Sequence, residues 1–287
     1  MIQRLIAILT SLYIRRRLID GVVKLLAWFA VIFAATILVF ILGMLFVKGI
    51  EGITFHIFIT STQPEGVRGG LANAMVGSLL ITVAAVVIGA PAGILAGTYL
   101  AEYGRGKRIT QIIRFANDIL LSSPSIIIGL FIYTVAVAPL HHFSAWSGSV
   151  ALAIIAVPVV LRTTEDMLLM VPNSLREAAA ALGASKWRVI VSICYSSARQ
   201  GIVNGMLLAV ARISGETAPL IFTSLGNQNW SLDFNRPMAA LPIVIYNYAR
   251  SPYEDQIRLA WSGALIITAT ILLLNIFAKM LGGKSRR

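Results

Sequence analysis

Two side chains of opposite charge, Arg212 and Glu216, lie inside the long apolar stretch 201–226. At about 1.5 Å per residue, Arg212 falls near the middle of a membrane-spanning helix that starts with this stretch. An unpaired charge at that depth costs several kcal/mol, and a chain that keeps one usually uses it. Arginine suits a tetrahedral oxyanion, because its rigid fork of donors bonds two oxygens at once and stays charged at physiological pH. The two charges therefore predict a path for an anion.

The spacing of these charges leaves a second interpretation open. Residues four apart share one face of a helix, so Arg212 and Glu216 can also pair with each other and serve only helix packing. Pro219 removes a regular helical hydrogen bond and is expected to loosen the helix just past the pair. Ser214 and Thr217 carry hydroxyls beside the two charges and are further candidates for the path.

A second group of hydroxyls interrupts an earlier apolar stretch at residues 122–125. Backbone that leaves the helix at membrane depth is tolerated only where it faces protein or a water-filled cavity. We expect Ser123 and Ser125 to line the same path, and a packing role is the alternative.

The composition predicts the elements that position these side chains. Of the 287 residues, 57% are hydrophobic and only 13% are charged, which is more apolar surface than a soluble core of this size needs. About 20 apolar residues are enough to cross a bilayer. Six such windows occur, at about 22–47, 71–100, 109–138, 148–170, 201–225 and 260–281. They predict an all-α membrane protein with six transmembrane helices in one domain, residues 21–287.

The positions of Lys and Arg predict the orientation of these helices. The formal net charge is +12. The basic residues concentrate in alternate connections, namely the N-terminal stretch, residues 105–114, residues 176–199 and the C-terminal tail. By the positive-inside rule, these connections and both termini are cytoplasmic. The excess charge then reflects topology, which argues against a nucleic-acid partner.

Residues 1–20 are too short and too charged to span a membrane, yet their apolar residues recur at helical spacing. We expect a cytoplasmic amphipathic segment that lies along the membrane surface, in contact with lipid. A cleavable signal peptide is the alternative. The apolar run after Lys24 is too long for one, however, and has no obvious small-x-small cleavage site.

Several other kinds of site are excluded by their spacing. The tail at residues 283–285, Gly-Lys-Ser, resembles the end of a P-loop, but Ala278 stands where the first glycine belongs. His141 and His142 have no third ligand nearby, so no metal site is predicted. The single Cys194 excludes an internal disulfide. No catalytic constellation is found, and the chain is not expected to be an enzyme.

A polar, basic segment at about 171–200 separates the fourth and fifth apolar windows. Ser174 is expected to cap a short helix, because Glu177 follows three residues later as a capping box requires. Alanines sustain this helix with small side chains that a partner's groove can approach closely, and Gly183 is expected to end it in the left-handed conformation. The segment predicts a docking site for another protein, with an ordinary alanine-rich amphipathic helix as the alternative.

This segment resembles the EAA loop of ABC importer permeases, in which Glu-Ala-Ala, followed four residues later by Gly, inserts into the ATPase subunit. The matching positions are Glu177, Ala178, Ala179, Gly183 and Ile193. Tyr195 and Ser196 stand where the pattern usually has Leu and Pro. The resemblance implies that Glu177, Ala178, Ala179 and Gly183 couple the chain to an ATPase.

A narrower resemblance covers most of the chain, from about Asn73 to Lys279. The string RISGETAP at 212–219 is similar to a signature of the PstA-type permeases of bacterial phosphate importers, and PSIIIGL at 124–130 is similar to that family's third-span segment. The resemblance implies the fold of a type I ABC importer permease in the bacterial inner membrane. It also implies that Arg212 and Glu216 lie at the translocation path.

The same resemblance implies the partners. They are a sister permease subunit that forms a heterodimer with this chain, two copies of a cytoplasmic ATPase, and a periplasmic or extracellular phosphate-binding protein. No cofactor is expected on this chain, because the partner ATPase uses the ATP and magnesium. Two alternatives stay open. One is a permease for another oxyanion, sulfate or molybdate, and the other is a secondary anion transporter, which has no ATPase to dock.

Overall fold

The computed structural model describes residues 2–64, 67, 69–104 and 106–283, with side chains from Tyr13 onward except at 277–279 and 281–283. The described residues form helices joined by short connections and contain no β-strand, in agreement with the all-α prediction. The chain divides into two compact units, Met1–Lys48 and Gly49–Arg287.

The first unit is formed by helix α1 (Ile2–Glu51), which continues into the start of the second unit. Its 50 residues make a helix about 75 Å long, much longer than the hydrocarbon core of a membrane. The helix passes through Asp20, the predicted end of the amphipathic segment, without a break. Whether residues 1–20 lie along the membrane surface stays a prediction.

The second unit contains the remaining helices, several of which are interrupted by π-helical turns. In chain order they are α2 (Phe55–Ile59), α3 (Ala72–Thr98, continued by a π-helical turn Tyr99–Tyr103), α4 (Arg108–Ser122), α5 (Ser125–Ile132, continued by Tyr133–Val137), α6 (Ala138–Leu140), α7 (Ala145–Leu169), α8 (Asn173–Ala181), α9 (Lys186–Arg188, continued by Val189–Cys194), α10 (Tyr195–Ser214), α11 (Ala218–Thr223), α12 (Leu241–Ala249) and α13 (Glu254–Gly283).

Within the described residues, four helical segments are long and apolar enough to cross a membrane: Tyr13–Glu51, Ala72–Tyr103, Ala145–Leu169 and Glu254–Ile276. A fifth crossing is available from Arg108–Ser122 and Ser125–Leu140, two halves bent by 103°. These agree with five of the six predicted windows. The window 201–225 differs, because α10 ends at Ser214 and α11 begins only at Ala218, so that a charged break divides it.

Helix α7 occupies the core of the second unit, and α3 lies directly against it. A Cβ added at Gly93 would lie 2.7 Å from the Cβ of Val160, and one at Gly97 would lie 2.6 Å from the carbonyl oxygen of Leu161. Small residues let the backbones of membrane helices approach this closely. Such packing drives helix association in a membrane, because lipid is as apolar as the side chains and supplies no hydrophobic driving force. The glycines of α3 therefore serve packing and make α3 and α7 a tightly joined pair.

Candidate substrate path and coupling loop

The helix that carries Arg212 stops two residues later. Helix α10 ends at Ser214, residues 215–217 are not helical, and α11 begins at Ala218 with Pro219 in its first turn. Proline is tolerated in a first turn because the amide hydrogen that it lacks has no helical partner there. The helix is interrupted near Pro219, but the interruption is a complete break that starts between Arg212 and Glu216 instead of past them.

This break changes the relation between the two charges. Arg212 is exposed in the last turn of α10, whereas Glu216 is half-buried in the break itself. Among the ion pairs of the described residues, none joins Arg212 to Glu216. The alternative in which the two charges pair on one helical face is not formed in this conformation, because the helix ends between the two residues.

A second break separates α4 from α5. It lies at residues 122–125, where the sequence has a group of serines. Pro124 lies between Ser123 and Ser125, and the two helices diverge by 103°. Both serines are half-buried. The amide of Ser123 donates to the carbonyl of Ile119 at 2.9 Å, which closes the end of α4. The predicted interruption of the third apolar window is confirmed.

The two breaks lie on helices that touch each other. Helix α5, which starts at Ser125, packs against α11, and a Cβ at Gly129 would lie only 2.6 Å from the Cα of Pro219. Ile128 and Leu220 belong to the same buried apolar cluster. The structure thus places the helices that follow the two breaks side by side, although nearly 90 residues separate Gly129 from Pro219 in the sequence.

Ser214 and Thr217 have different surroundings. The hydroxyl of Ser214 donates to the carbonyl of Val210 at 2.7 Å. Ser214 also lines an apolar groove of about 570 Å³ between α3, α10 and α13, together with Val210 and Ala211. Thr217 is half-buried next to the start of α11, and its carbonyl accepts from the amide of Ile221 at 3.1 Å. Thr217 belongs to the break, whereas Ser214 faces the groove.

The polar segment at about 171–200 forms the expected short helix, but this helix begins at a different residue from the one predicted. Helix α8 starts at Asn173 after Pro172, and no side chain caps it. The first turn is closed by the amide of Leu175, which donates to the carbonyl of Pro172 at 3.3 Å. Ser174 therefore lies inside the helix, and the predicted capping box of Ser174 and Glu177 is wrong.

The end of this helix follows the prediction. Gly183 has φ +80°, the left-handed conformation that favours glycine. The amide of Gly183 donates to the carbonyl of Ala180 at 2.9 Å, and that of Ala184 donates to Ala179 at 3.1 Å. These two bonds are those of a Schellman motif, which satisfies the last carbonyls of α8 and turns the chain sharply toward α9.

The bend at Gly183 leaves a surface exposed on α8 and α9. Glu177 and Ala178 are exposed, and Leu182 and Trp187 expose 89% and 65% of their surface. Ala179 is half-buried and packs against the apolar cluster beneath the segment. A cluster of exposed large apolar side chains beside an acidic residue is a surface suited to binding another protein.

Sequence reasoning missed the side chain that attaches α8 to the rest of the chain. Arg176 pairs with Glu102 at 2.6 Å, and both side chains are largely buried. The hydrogen bond to Glu102 raises the pKa of the Arg176 guanidinium above its ordinary value. In the sequence Arg176 contributes only to the charge pattern, and nothing local indicates a partner 74 residues away.

Neighbouring acidic residues near the C-terminal end of α7 have different partners. Arg162 and Asp166 form a half-exposed ion pair at 3.3 Å. Glu165 is 2% exposed and instead accepts a hydrogen bond from Arg114 of α4 at 2.7 Å. The helix packing separates these residues, since Glu165 faces the core and its neighbours do not.

Comparisons with known proteins identify the family. A family model described as the binding-protein-dependent transport system inner membrane component matches residues 89–287. The phosphate transport system permease protein PstA of Haemophilus influenzae is 56% identical over 255 residues, which cover 89% of this chain and 90% of that protein. The PstA of Pasteurella multocida is 55% identical over 265 residues, covering 92% and 95%. The chain belongs to the PstA-type permease family.

Solved structures agree on the fold. A structure described as inward-facing conformations of the MetNI methionine ABC transporter has a TM-score of 0.64 at 17% identity, and the match covers 76% of this chain and 96% of that one. A crystal structure of an amino acid ABC transporter with histidines has a TM-score of 0.52 at 17% identity, over 76% and 92%. At this identity the likeness establishes the fold and not the substrate. The predicted ABC importer permease fold is confirmed.

Membership of this family establishes what kind of molecule the chain is. A PstA-type permease is a multi-pass inner-membrane subunit of an ABC importer, and not itself an enzyme. Such a permease works in association with other permease and ATPase subunits and with a binding protein.

Proposed function

We propose that this chain is the permease subunit of an ATP-driven importer of inorganic phosphate and forms the translocation path together with a sister permease subunit. The observation that carries the proposal is the 50% to 56% identity to proteins named phosphate transport system permease protein PstA, along nearly the whole chain. The chemistry of the exposed Arg212 supports it, because a guanidinium bonds two oxygens of a tetrahedral anion at once.

In this proposal Arg212, in the last turn of α10, and Glu216, in the break between α10 and α11, both act on the substrate. Arg212 supplies the fixed positive charge. Glu216 supplies an acceptor for a protonated oxygen of phosphate, which sulfate lacks at neutral pH. A site that hydrogen-bonds a substrate hydroxyl discriminates strongly against an analogue without it, because its own polar group is then left unpaired. The lack of an ion pair between these residues supports the assignment.

The remaining residues of the path follow from the two breaks. Ser123, Ser125 and Thr217 supply hydroxyls at the ends of helices that the contact between Gly129 and Pro219 holds together. Ser214 contributes to the path only indirectly, since its hydroxyl is bonded to Val210 and it faces the groove beside α3.

The coupling segment, about 171–200, is proposed to dock one of two cytoplasmic ATPase subunits through Glu177, Ala178, Ala179 and Gly183. The exposed Leu182 and Trp187 support this assignment. The ATPase, and not this chain, would bind ATP and magnesium. An external phosphate-binding protein would deliver the substrate on the other side, and both termini would be cytoplasmic, as the distribution of basic residues predicts.

Uptake of labelled phosphate into sealed vesicles tests the proposal, with this chain, the sister permease, the ATPase and the binding protein all present. We expect uptake that requires ATP and is competed by unlabelled phosphate, but not by sulfate or molybdate at equal concentration. Competition by sulfate or molybdate would indicate a different oxyanion. Uptake that follows an ion gradient without ATP would indicate a secondary transporter.

A further inference from the structure

Arg176, on the coupling helix α8, holds more partners than a surface arginine normally has. Its side chain is only 14% exposed and that of Glu102 only 7%. The Nη2 and Nε of Arg176 donate to the same carboxylate oxygen of Glu102, at 2.6 Å and 3.2 Å. Glu102 lies in the π-helical turn that continues α3. The pair therefore joins the coupling helix to the end of a membrane-spanning helix.

The same guanidinium also closes the end of α7. Its Nη2 donates to the carbonyl of Leu168 at 2.7 Å, and its Nη1 donates to the carbonyl of Val171. The last carbonyls of a helix have no partner within the helix, and a positive charge is favourable there. Arg176 thus fastens α8 to the ends of both α3 and α7, the tightly packed pair at the core of the fold.

Two further side chains, those of Lys186 and Tyr195, attach the segment beyond the Gly183 bend to the same end of α3. The Nζ of Lys186 donates to the backbone carbonyl of Glu102 at 2.7 Å and lies 4.2 Å from the centre of the Tyr103 ring. The hydroxyls of Tyr195 and Thr98 lie 2.8 Å apart. Tyr195 occupies one of the positions where the segment departs from the EAA pattern, and this hydrogen bond is what the tyrosine adds.

The opposite end of α3 is attached to the segment that follows α11. The side-chain amide of Asn73 donates to the carbonyls of Asn227 and Gln228 at 3.2 Å and 3.0 Å. The hydroxyl of Ser78 accepts a hydrogen bond from the amide of Leu241 at 2.6 Å. Helix α3 with its π-helical turn is about 48 Å long, so this one element contacts the coupling segment at one end and the chain beyond the α10–α11 break at the other.

We propose that the ion pair between Arg176 and Glu102 is the link through which movement of α8 is passed to α3. Both are positioning residues that act on the path through α3. The inference rests on the proposed function, because it takes α8 as the surface on which the ATPase acts. A largely buried ion pair with several hydrogen bonds contributes geometric definition more than stability. A displacement of α8 is then transmitted to α3 instead of being absorbed by the connecting loop.

Replacing Glu102 with glutamine tests this link in the assembled transporter. Glutamine keeps the shape and one oxygen acceptor but removes the charge that draws in Arg176. We expect the ATPase to co-purify in the native amount and ATP hydrolysis to continue. The number of phosphate ions transported per ATP should fall roughly tenfold, a size typical of lost coupling between sites.

A second variant and a control separate this effect from misfolding. Arg176→Lys cannot bond Glu102, Leu168 and Val171 together, so the transport ratio should fall. It should fall less than in Glu102→Gln, because lysine keeps the charge that attracts Glu102. Arg236→Lys alters an exposed pair, in which Arg236 and Asp233 lie 3.4 Å apart with side chains 76% and 50% exposed. That variant should keep the native ratio.

Three outcomes would overturn the inference. One is a native ratio of phosphate to ATP in Glu102→Gln, or in Arg176→Lys if Glu102→Gln does not assemble. Another is loss of the ATPase from the assembled variants, which would mean that the pair only shapes the docking surface. The third is failure of both variants to assemble, which would make the pair a folding element. Failure of the proposed function itself would be distinct, because the unmodified complex would then show no ATP-driven phosphate uptake.

Discussion

Replacing Gly129 with alanine tests whether the contact between α5 and α11 holds the two helix breaks in place. The added Cβ would lie 2.6 Å from the Cα of Pro219 and 3.3 Å from its Cβ. Carbon atoms pack at about 3.5–4.0 Å, so the two helices must separate by roughly 1 Å at this point. The obstacle is backbone and a proline ring, and neither can rotate away as a flexible side chain would.

The size of the effect follows from the cost of overpacking. One extra methyl group in a close-packed interface costs about 1–3 kcal/mol. If the overpacking destabilises only the conformation needed for transport, phosphate uptake should drop roughly five- to 150-fold. Any part of this free energy that destabilises the folded protein as a whole should instead lower the midpoint of thermal unfolding of the purified complex.

Phosphate uptake into vesicles and thermal unfolding of the complex are the two measurements. Gly43→Ala is the matched control, since it makes the same change within a helix at a position where the added Cβ meets nothing within 4 Å. The control should keep both native values. If Gly129→Ala matched the control in uptake and in thermal midpoint, the contact between α5 and α11 would have no role in holding the breaks.

Three further predictions concern the path, the docking surface and the orientation. Arg212→Lys should reduce phosphate uptake strongly and Arg212→Gln should abolish it, with assembly intact. Because Arg212 and Glu216 are proposed to hold the same phosphate, the loss in the double variant Arg212→Lys with Glu216→Gln should be smaller than the product of the two single losses; a double variant that showed the full product would contradict action on one shared substrate. Glu177→Lys and Gly183→Val should leave the chain in the membrane but lower the amount of ATPase that co-purifies, since a branched side chain at φ +80° costs about 1–2 kcal/mol or more; undiminished ATPase would count against the docking role. Ser231→Cys should react with an impermeant thiol reagent from outside. Native Cys194 should stay unlabelled from either side until the protein is denatured, because its side chain is buried and burial raises the pKa of its thiol, so that little reactive thiolate forms at neutral pH. Labelling of Ser231→Cys only from the cytoplasmic side would reverse the orientation.

Features that depend on a few neighbouring residues could be read from the sequence. Pro219 and Pro124 mark the two helix breaks, because proline cannot complete a regular helical hydrogen bond, whereas Pro91 and Pro158 lie inside α3 and α7 without ending them. Gly183 marks the end of α8 for an equally local reason, since glycine adopts the left-handed conformation without steric cost. Length and hydrophobicity likewise predict most of the membrane crossings.

The local rules failed where two signals competed. Ser174 and Glu177 have the spacing of a capping box, but the helix starts after Pro172, two residues too early for Ser174 to cap it. The i, i+4 spacing of Arg212 and Glu216 implies pairing only if the helix continues, and it does not. In both cases the boundary of the helix, and not the identity of the polar residues, decides the outcome.

The sequence by itself determined the all-helical membrane character, the neighbourhood of the two breaks and the end of the short helix at Gly183, because hydrophobicity, proline and glycine act locally. Only the tertiary structure decided which distant residues meet. Arg176 reaches Glu102 across 74 positions and Arg114 reaches Glu165 across 51, and Gly129 touches Pro219. These contacts depend on how the helices pack against one another, and that arrangement is set by the whole fold at once instead of by any short stretch of sequence.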